Sequence, residues 1–488
     1  MKKVKCLLLV VVLITTSLGA YKTAYSKVNY TVNSKSLKKM AKKTYHSHAN
    51  KYTKDYLGLN SYLEKMRKKG GGTLTIKKGT YKICNAICVP SNITIIFQKG
   101  VKFIKTSKTG LKGQKAASSM WQIVPKKKSM KKNSVSGYNG SKNVKFIGQG
   151  GVSFDMKGKY GMCVAAAHTD GVEISGITFK GMNGDHYIEV NGSRNVNIHN
   201  NYFGAAKSST KKKNYNKEAV NIDTPDAKTH GIPLKWVKKD ITPCVNITVQ
   251  NNTFKGTTRG VGTHKYSQKG GKHVYHKNVK IIGNKFNKIY DNGVFVLNWE
   301  NAEIKNNTFD NIGMSSNLSY SSGSHGISGG GINGITITGN IFTNIKRNAI
   351  YFGVQQNQKA GSSYGKTFIS ITDEQYRKMV ENASYKCGNE MNTKYKGYDL
   401  VCFKGKGERL PQYSVCLKFG VKRIVCGDGR QIVWPVETTV PQTTTVEPTS
   451  EDPTRPTPTT EAPTPGDESQ FPVETPVPTS DNENPYGA

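Results

Sequence analysis

The stretch Glu218-Ala-Val-Asn-Ile-Asp223 is one line of a repeat. Six further segments align with it: Met162-Cys-Val-Ala-Ala-Ala, His186-Tyr-Ile-Glu-Val-Asn, Arg259-Gly-Val-Gly-Thr-His, Asn292-Gly-Val-Phe-Val-Leu, His325-Gly-Ile-Ser-Gly-Gly and Asn348-Ala-Ile-Tyr-Phe-Gly. The third position is nearly always Val or Ile and the fifth is mostly apolar, the alternation of a strand with one face inward. Most lines precede a second segment of the form V/I-x-I-x-N-N-x-F, such as Val196-Asn-Ile-His-Asn-Asn-Tyr-Phe203 and Ile247-Thr-Val-Gln-Asn-Asn-Thr-Phe254. The shortest steps between the closing Phe residues are 24 (179 to 203) and 23 (286 to 309), the length of one solenoid coil. The column Phe179, Phe203, Phe254, Phe286, Phe309 and Phe342 predicts a stack of core aromatics. The Asn pairs at 200/201, 251/252 and 306/307 predict turns, where Asn tolerates left-handed geometry and bonds along the stack.

Before the repeats, residues 55–69 place Leu57, Leu59, Leu63 and Met66 at helical spacing, and Gly70-Gly-Gly72 stops the helix. Such a helix caps the open end of a solenoid. Helix, then Gly70-Gly-Gly-Thr-Leu-Thr-Ile-Lys-Lys-Gly-Thr-Tyr81, then Pro90-Ser-Asn-Ile-Thr-Ile95, resembles the first coils of the pectate-lyase-like superfamily, with Lys78 where that family usually has Pro. The resemblance covers roughly residues 55–355 and implies an all-β, right-handed parallel β-helix. It also implies lyase, hydrolase, epimerase or binding roles, all of which the superfamily hosts.

The reading divides the chain into a signal peptide (1–26), a poorly ordered lead-in (27–54) and the β-helix (55–355). A small Cys-containing module (356–435) and a disordered Thr/Pro/Glu-rich tail (436–488) follow. Lys2, Lys3 and Lys5 before the apolar run Cys6–Ile14 predict export, and that run is too short to span a bilayer. Export permits disulfides: Cys84 with Cys88 locally, and Cys387, Cys402, Cys416 and Cys426 within the module. The net charge is +40; the tail from Val436 holds ten acids and one base, leaving the first 435 residues at +49. Such a field gathers polyanions. For an exported monomer the expected partner is an acidic polysaccharide or cell-wall polymer rather than nucleic acid.

The outward positions of three successive lines carry Glu189 and Asn191, then Asn221 and Asp223, then His264. His186, Glu218 and Arg259 stand at the strand entries, and Lys265 follows His264. Long loops at 204–217, 226–243 and 265–276 flank these lines and predict the walls of a groove. Two mechanisms fit. In one, Glu189, Glu218 and Asp223 hold Ca²⁺, which bridges to a uronate and acidifies its C5 proton for β-elimination. The resemblance implies an arginine base, Arg259, whereas proton chemistry favours His264. In the other, Glu189 and Asp223 are the acid and base of an inverting hydrolase. His186, Asn191, Asn221 and Lys265 serve in either case as substrate-binding groups. Asn221-Ile-Asp223 and Ser324-His-Gly326 partly echo polygalacturonase motifs, but that branch's Asp pair and Arg-Ile-Lys are missing. β-Elimination is the leading expectation; a non-catalytic wall-binding protein is the competing one.

Overall fold

Each coil of the computed structural model is three short strands that pair in parallel with the same strands of the coils before and after. The structure describes residues 27–204, 218–313 and 324–353, and the short strands Ser384–Tyr385, Val401–Lys404, Ile424–Val425 and Gln431–Ile432. The expectations for 1–26, for 436–488 and for most of 356–435 lie outside the described residues.

The first face stacks Val164–Ala167, Ile188–Asn191, Glu218–Asp223, Arg259–Gly262 and the starts of Val294–Lys305 and Ile327–Thr338. Its register runs Val164, Ile188, Val220, Val261, Val294, Ile327, Ile350, so the third position of every repeat line meets its counterpart. All seven of these side chains are buried in the central core. The second face stacks Asp170–Met182, Arg194–His199, Val245–Gln250 and His276–Ile282, and the third carries the Phe column.

Inside, Phe179, Phe203, Phe254, Phe286, Phe309 and Phe342 stack with centroids 4.7–5.0 Å apart and planes within 8°. Burying each ring contributes about 1.5–3 kcal/mol, and a favourable ring pair adds about 0.5–1.5 kcal/mol. Beside them runs a buried amide ladder. Asn201, Asn252, Asn284 and Asn307 each donate from Nδ2 to Oδ1 of the Asn one coil on, ending at Asn340, over 2.9–3.1 Å. The residue before each ladder Asn sits in the left-handed region: Asn200 at φ 55°, Asn251 at 54°, Gly283 at 64°, Asn306 at 55° and Gly339 at 64°. Asn or Gly is required there because a β-branched or bulky side chain is strained at such angles.

The helix Lys54–Lys68 caps one end, burying Leu57, Leu59, Leu63 and Met66 as its spacing predicts. The lead-in differs from expectation. It holds a strand, Val28–Val32, that extends the second face by pairing with Gly72–Ile76, and a helix, Ser34–Tyr45. The helix begins in a reciprocal Asn33–Ser36 capping box and packs Leu37 and Ala41 onto the cap. Gly58 lets the two helices touch, since a Cβ there would lie 2.5 Å from the Leu37 carbonyl oxygen. The insertion at 106–137 likewise contributes a strand, Trp121–Gln122, to the first face. Cys84 and Cys88 do not pair; with Cys163 and Cys244 they are buried free thiols.

Candidate functional site

Register places Glu189 opposite Asn221 and Asn191 opposite Asp223. The four make a square with carboxyls on one diagonal and carboxamides on the other. Asn191 Nδ2 donates to Glu189 Oε1 and Asn221 Nδ2 to Glu189 Oε2, both at 2.8 Å. Asp223 Oδ1 accepts from the Thr224 backbone N–H at 2.8 Å. Asn191 Oδ1 is buried with no hydrogen-bond partner among the described residues.

The sequence reading placed these groups on an open, solvent-facing wall. They do point away from the solenoid core, but Glu189 is 3% and Asp223 4% exposed. Residues 224–244 fold back over the coil before them, where Ile232, Trp236 and Val237 pack against Ala165, Ala167, Val124, Val135 and Met162. Lys239 of the same loop donates to the carbonyls of Gly231 and Ile232 and lies in the field of Glu189, Asp223 and Asp226.

Burial sets the protonation of the square. It pushes the Glu189 carboxyl up to about 7, with the amides of Asn221 and Asn191 pulling back and the charges of Asp185 and Glu218 adding to the rise. Burial, then the neighbouring Glu189, raises Asp223 well above the usual carboxylate range. Glu218 is the opposite case. Burial would raise it, but His264, Arg259 and His186 outweigh that and hold it well below its ordinary value.

Glu218 and Arg259 belong to a second, ionic cluster next to the square. Arg259 Nη1 donates to Glu218 Oε1 at 2.9 Å, its Nε donates to Asp291 Oδ2 at 2.5 Å, and its guanidinium lies 4.0 Å from the Phe295 ring centre. Burial would lower its pKa, yet Asp291 and Glu218 hold it above its ordinary value. An arginine pinned between two carboxylates is not a proton acceptor, so the base role that the resemblance implied for Arg259 does not fit. His186 Nδ1 donates to the Glu218 carbonyl at 2.8 Å, turning Nε2 toward Asp185 at 3.7 Å and Glu189 at 3.9 Å. His264, the most open member with its side chain 24% exposed, sets Nδ1 3.4 Å from Glu218 Oε2. Lys265 donates to the Thr229 carbonyl of the 224–244 loop at 3.0 Å.

Glu189, Glu218 and Asp223 do not fit a calcium ion as they stand. Glu189 faces two amide N–H groups, Glu218 is already neutralised by Arg259, and among the described residues no group of three or more His, Cys, Asp or Glu side chains is set to hold a metal.

The sequence reading missed Asp185, Asp291, Lys239 and Trp236. Asp185 and Asp291 had a signal, since each immediately precedes the first residue of a repeat line, His186 and Asn292. Trp236 was the one tryptophan of the 226–243 loop, among Ile232, Leu234, Val237 and Ile241, a cue to something covered.

A family model described as "Right handed beta helix region" matches residues 138–309. The chain is a right-handed parallel β-helix repeat protein. "Plasmin and fibronectin-binding protein A" of Streptococcus pneumoniae (strain ATCC BAA-255 / R6) is 30% identical over 155 residues, 30% of this chain and 21% of that protein. The chain thus spans about a fifth of the length of the curated relative it matches. A solved structure of the Streptococcus pneumoniae surface protein and adhesin PfbA aligns at 17% identity and TM-score 0.46, covering 66% of this chain and 77% of that one. A hyperthermoactive exopolygalacturonase from Thermotoga maritima aligns at 12% identity and TM-score 0.44, covering 70% and 78%. Among the described residues no helix is long and apolar enough to cross a membrane.

Proposed function

We propose that this is an extracellular protein that cleaves an acidic polysaccharide at the Glu189–Asp223 square, by acid–base hydrolysis in preference to elimination. The observation that carries the reading is the square itself: two carboxyls on neighbouring coils, held apart on a diagonal by two carboxamides. The arrangement divides the labour of hydrolysis. A carboxyl that keeps its proton near neutral pH can protonate a leaving sugar oxygen, and its diagonal partner, once ionised, can activate water. Asp223 is the acid in this assignment and Glu189 the base, because Asn191 and Asn221 donate N–H bonds to both Glu189 oxygens and so favour its ionised form. The uncommitted acceptor on Asn191 suits a sugar hydroxyl. The basic exterior draws an anionic polymer in.

Elimination is less well supported, because Arg259, the base that the resemblance implies, is locked between Glu218 and Asp291. Adhesion without cleavage is a second reading, favoured by the curated relative described as binding plasmin and fibronectin. One experiment separates all three. The protein is incubated with polygalacturonate, alginate and glycosaminoglycans. New reducing ends without ultraviolet absorbance support hydrolysis, unsaturated absorbing ends mean elimination, and retention on polymer, plasmin or fibronectin with neither product means adhesion. Glu189→Gln and Asp223→Asn should each lower hydrolysis by about 10²–10⁴-fold; retained activity in both refutes the site.

A further inference from the structure

We propose that the capped end of the solenoid is a second, non-catalytic holding surface for an acidic polysaccharide, built on a ridge of lysines along the helix Ser34–Tyr45. The polymer class comes from the reading above; the surface lies apart from the carboxyl square and does not depend on its chemistry. Charge is unevenly shared along the chain. Residues 27–154 hold 28 Lys and Arg against two acids, Asp55 and Glu64, whereas residues 155–435 hold 39 against 20. The net charge is therefore +26 over the first stretch and +19 over a second more than twice as long. Both acids of the first stretch are already engaged, Asp55 with Lys54 at 3.0 Å and Glu64 with Arg67 at 2.7 Å.

The helix Ser34–Tyr45 gathers part of this excess on one side. Lys35, Lys38, Lys39, Lys42 and Lys43 follow the i, i+3, i+4, i+7, i+8 spacing of a single face and are all exposed, while Leu37 and Ala41 are buried on the opposite face. The ridge is about 12 Å long and repeats a cation about every 5.4 Å turn, a rhythm that suits a linear polymer with one carboxylate per sugar. At about 0.1 M salt the screening length is about 10 Å, so the five charges act as one field. The ion pairs at this end, Lys54 with Asp55 and Arg67 with Glu64, use none of the ridge lysines. Along the second face of the shaft, by contrast, Lys145 meets Glu173 at 2.8 Å, Lys277 meets Glu300 at 3.3 Å and Lys280 meets Glu303 at 3.1 Å. With Leu37 and Ala41 buried beneath it, the ridge has little to insert into a bilayer. The basic surface also continues sideways. Lys126, opening the short helix Lys126–Ser129, donates to the Tyr45 hydroxyl at 2.8 Å at the end of the ridge helix, and exposed Lys127, Lys131 and Lys132 follow it.

The test is retention on immobilised polygalacturonate, alginate and heparin, read as affinity against salt concentration. Lys35→Gln, Lys38→Gln, Lys39→Gln, Lys42→Gln and Lys43→Gln made together should weaken binding by about tenfold or more at low salt. Lys255→Gln, Lys277→Gln, Lys280→Gln, Lys285→Gln and Lys288→Gln made together on the shaft remove the same charge and should cost much less. Equal losses from the two sets overturn the proposal, as does capture by phosphatidylglycerol vesicles but by none of the polymers, or no retention at all. In the unaltered protein, bound polymer should shield the five ridge lysines from acetylation more than those five shaft lysines; even shielding overturns the proposal, whether or not the ridge variant folds. Cleavage of short oligosaccharides should be unchanged in the ridge variant. A protein that cleaves nothing, yet loses retention when the ridge is neutralised, keeps this surface and removes the hydrolytic reading.

Discussion

Replacing Glu189 by Gln should change how stability depends on pH. In the folded protein burial lifts this carboxyl from its ordinary 4.5 to about 7, and the residue is 3% exposed, so solvent does little to soften the effect. The folded state holds the proton more tightly than the unfolded chain. Its contribution is therefore complete below pH 4.5 and is lost as pH rises through about 7. At about 1.4 kcal/mol per tenfold, the whole swing is worth about 3 kcal/mol, most of it between pH 5 and 8. Gln cannot ionise, and Asn191, whose Oδ1 lacks a partner among the described residues, can turn its amide to receive the new NH₂ group. Denaturant midpoints of both proteins at pH 5 and pH 8 isolate the term, because other groups titrate in both. Glu189→Gln should gain about 2 kcal/mol on the wild type across that interval. Parallel curves, within about 0.5 kcal/mol, would show that Glu189 titrates as an ordinary carboxyl and refute the reasoning.

Hydrolysis that uses Glu189 as its base should rise as pH rises through about 7, and kcat/KM profiles measure this directly. Asn284→Ala removes a ladder amide that bonds Val249, Asn252 and Asn307; it should cost about 2–4 kcal/mol in thermal or urea unfolding. Glu218→Gln removes the carboxylate that bonds Nη1 of buried Arg259 and should destabilise by about 3–5 kcal/mol, read the same way. Gly58→Ala should cost about 1–3 kcal/mol by forcing the two capping helices apart. Thiol reagents should not modify Cys84 or Cys244 in the folded protein at pH 8, since burial raises these thiols to about 11 and about 12; modification at the rate of the unfolded chain would contradict the buried assignment.

The repeat was legible because a coil states its register several times over. Val220 and Ile222 mark the core, Phe203 and Phe254 the corner, and the Asn pairs the turn, so Glu189 could be set opposite Asn221 before any coordinates. What covers that face was not legible. The 224–244 loop carries only a few apolar residues, and its contacts with Val124 and Val135 join positions about a hundred residues apart with no shared period. The helix Ser34–Tyr45 escaped notice for a related reason: its buried stripe is only Leu37 and Ala41 among lysines. Asp291 pairs with Arg259 across a coil boundary, where periodicity says nothing about side-chain reach.

The amide ladder has a polarity. From Asn201 to Asn307 one N–H of each Nδ2 donates to the Asn of the next coil, always in the same direction, and each coil presents the next with the same acceptor it received. Such a column is modular in length: excising or duplicating a whole coil rejoins donor to acceptor, whereas shifting by part of a coil breaks the line. The carboxyl square is built from two particular coils and has no such freedom, which makes the shaft of this protein extensible and its centre fixed.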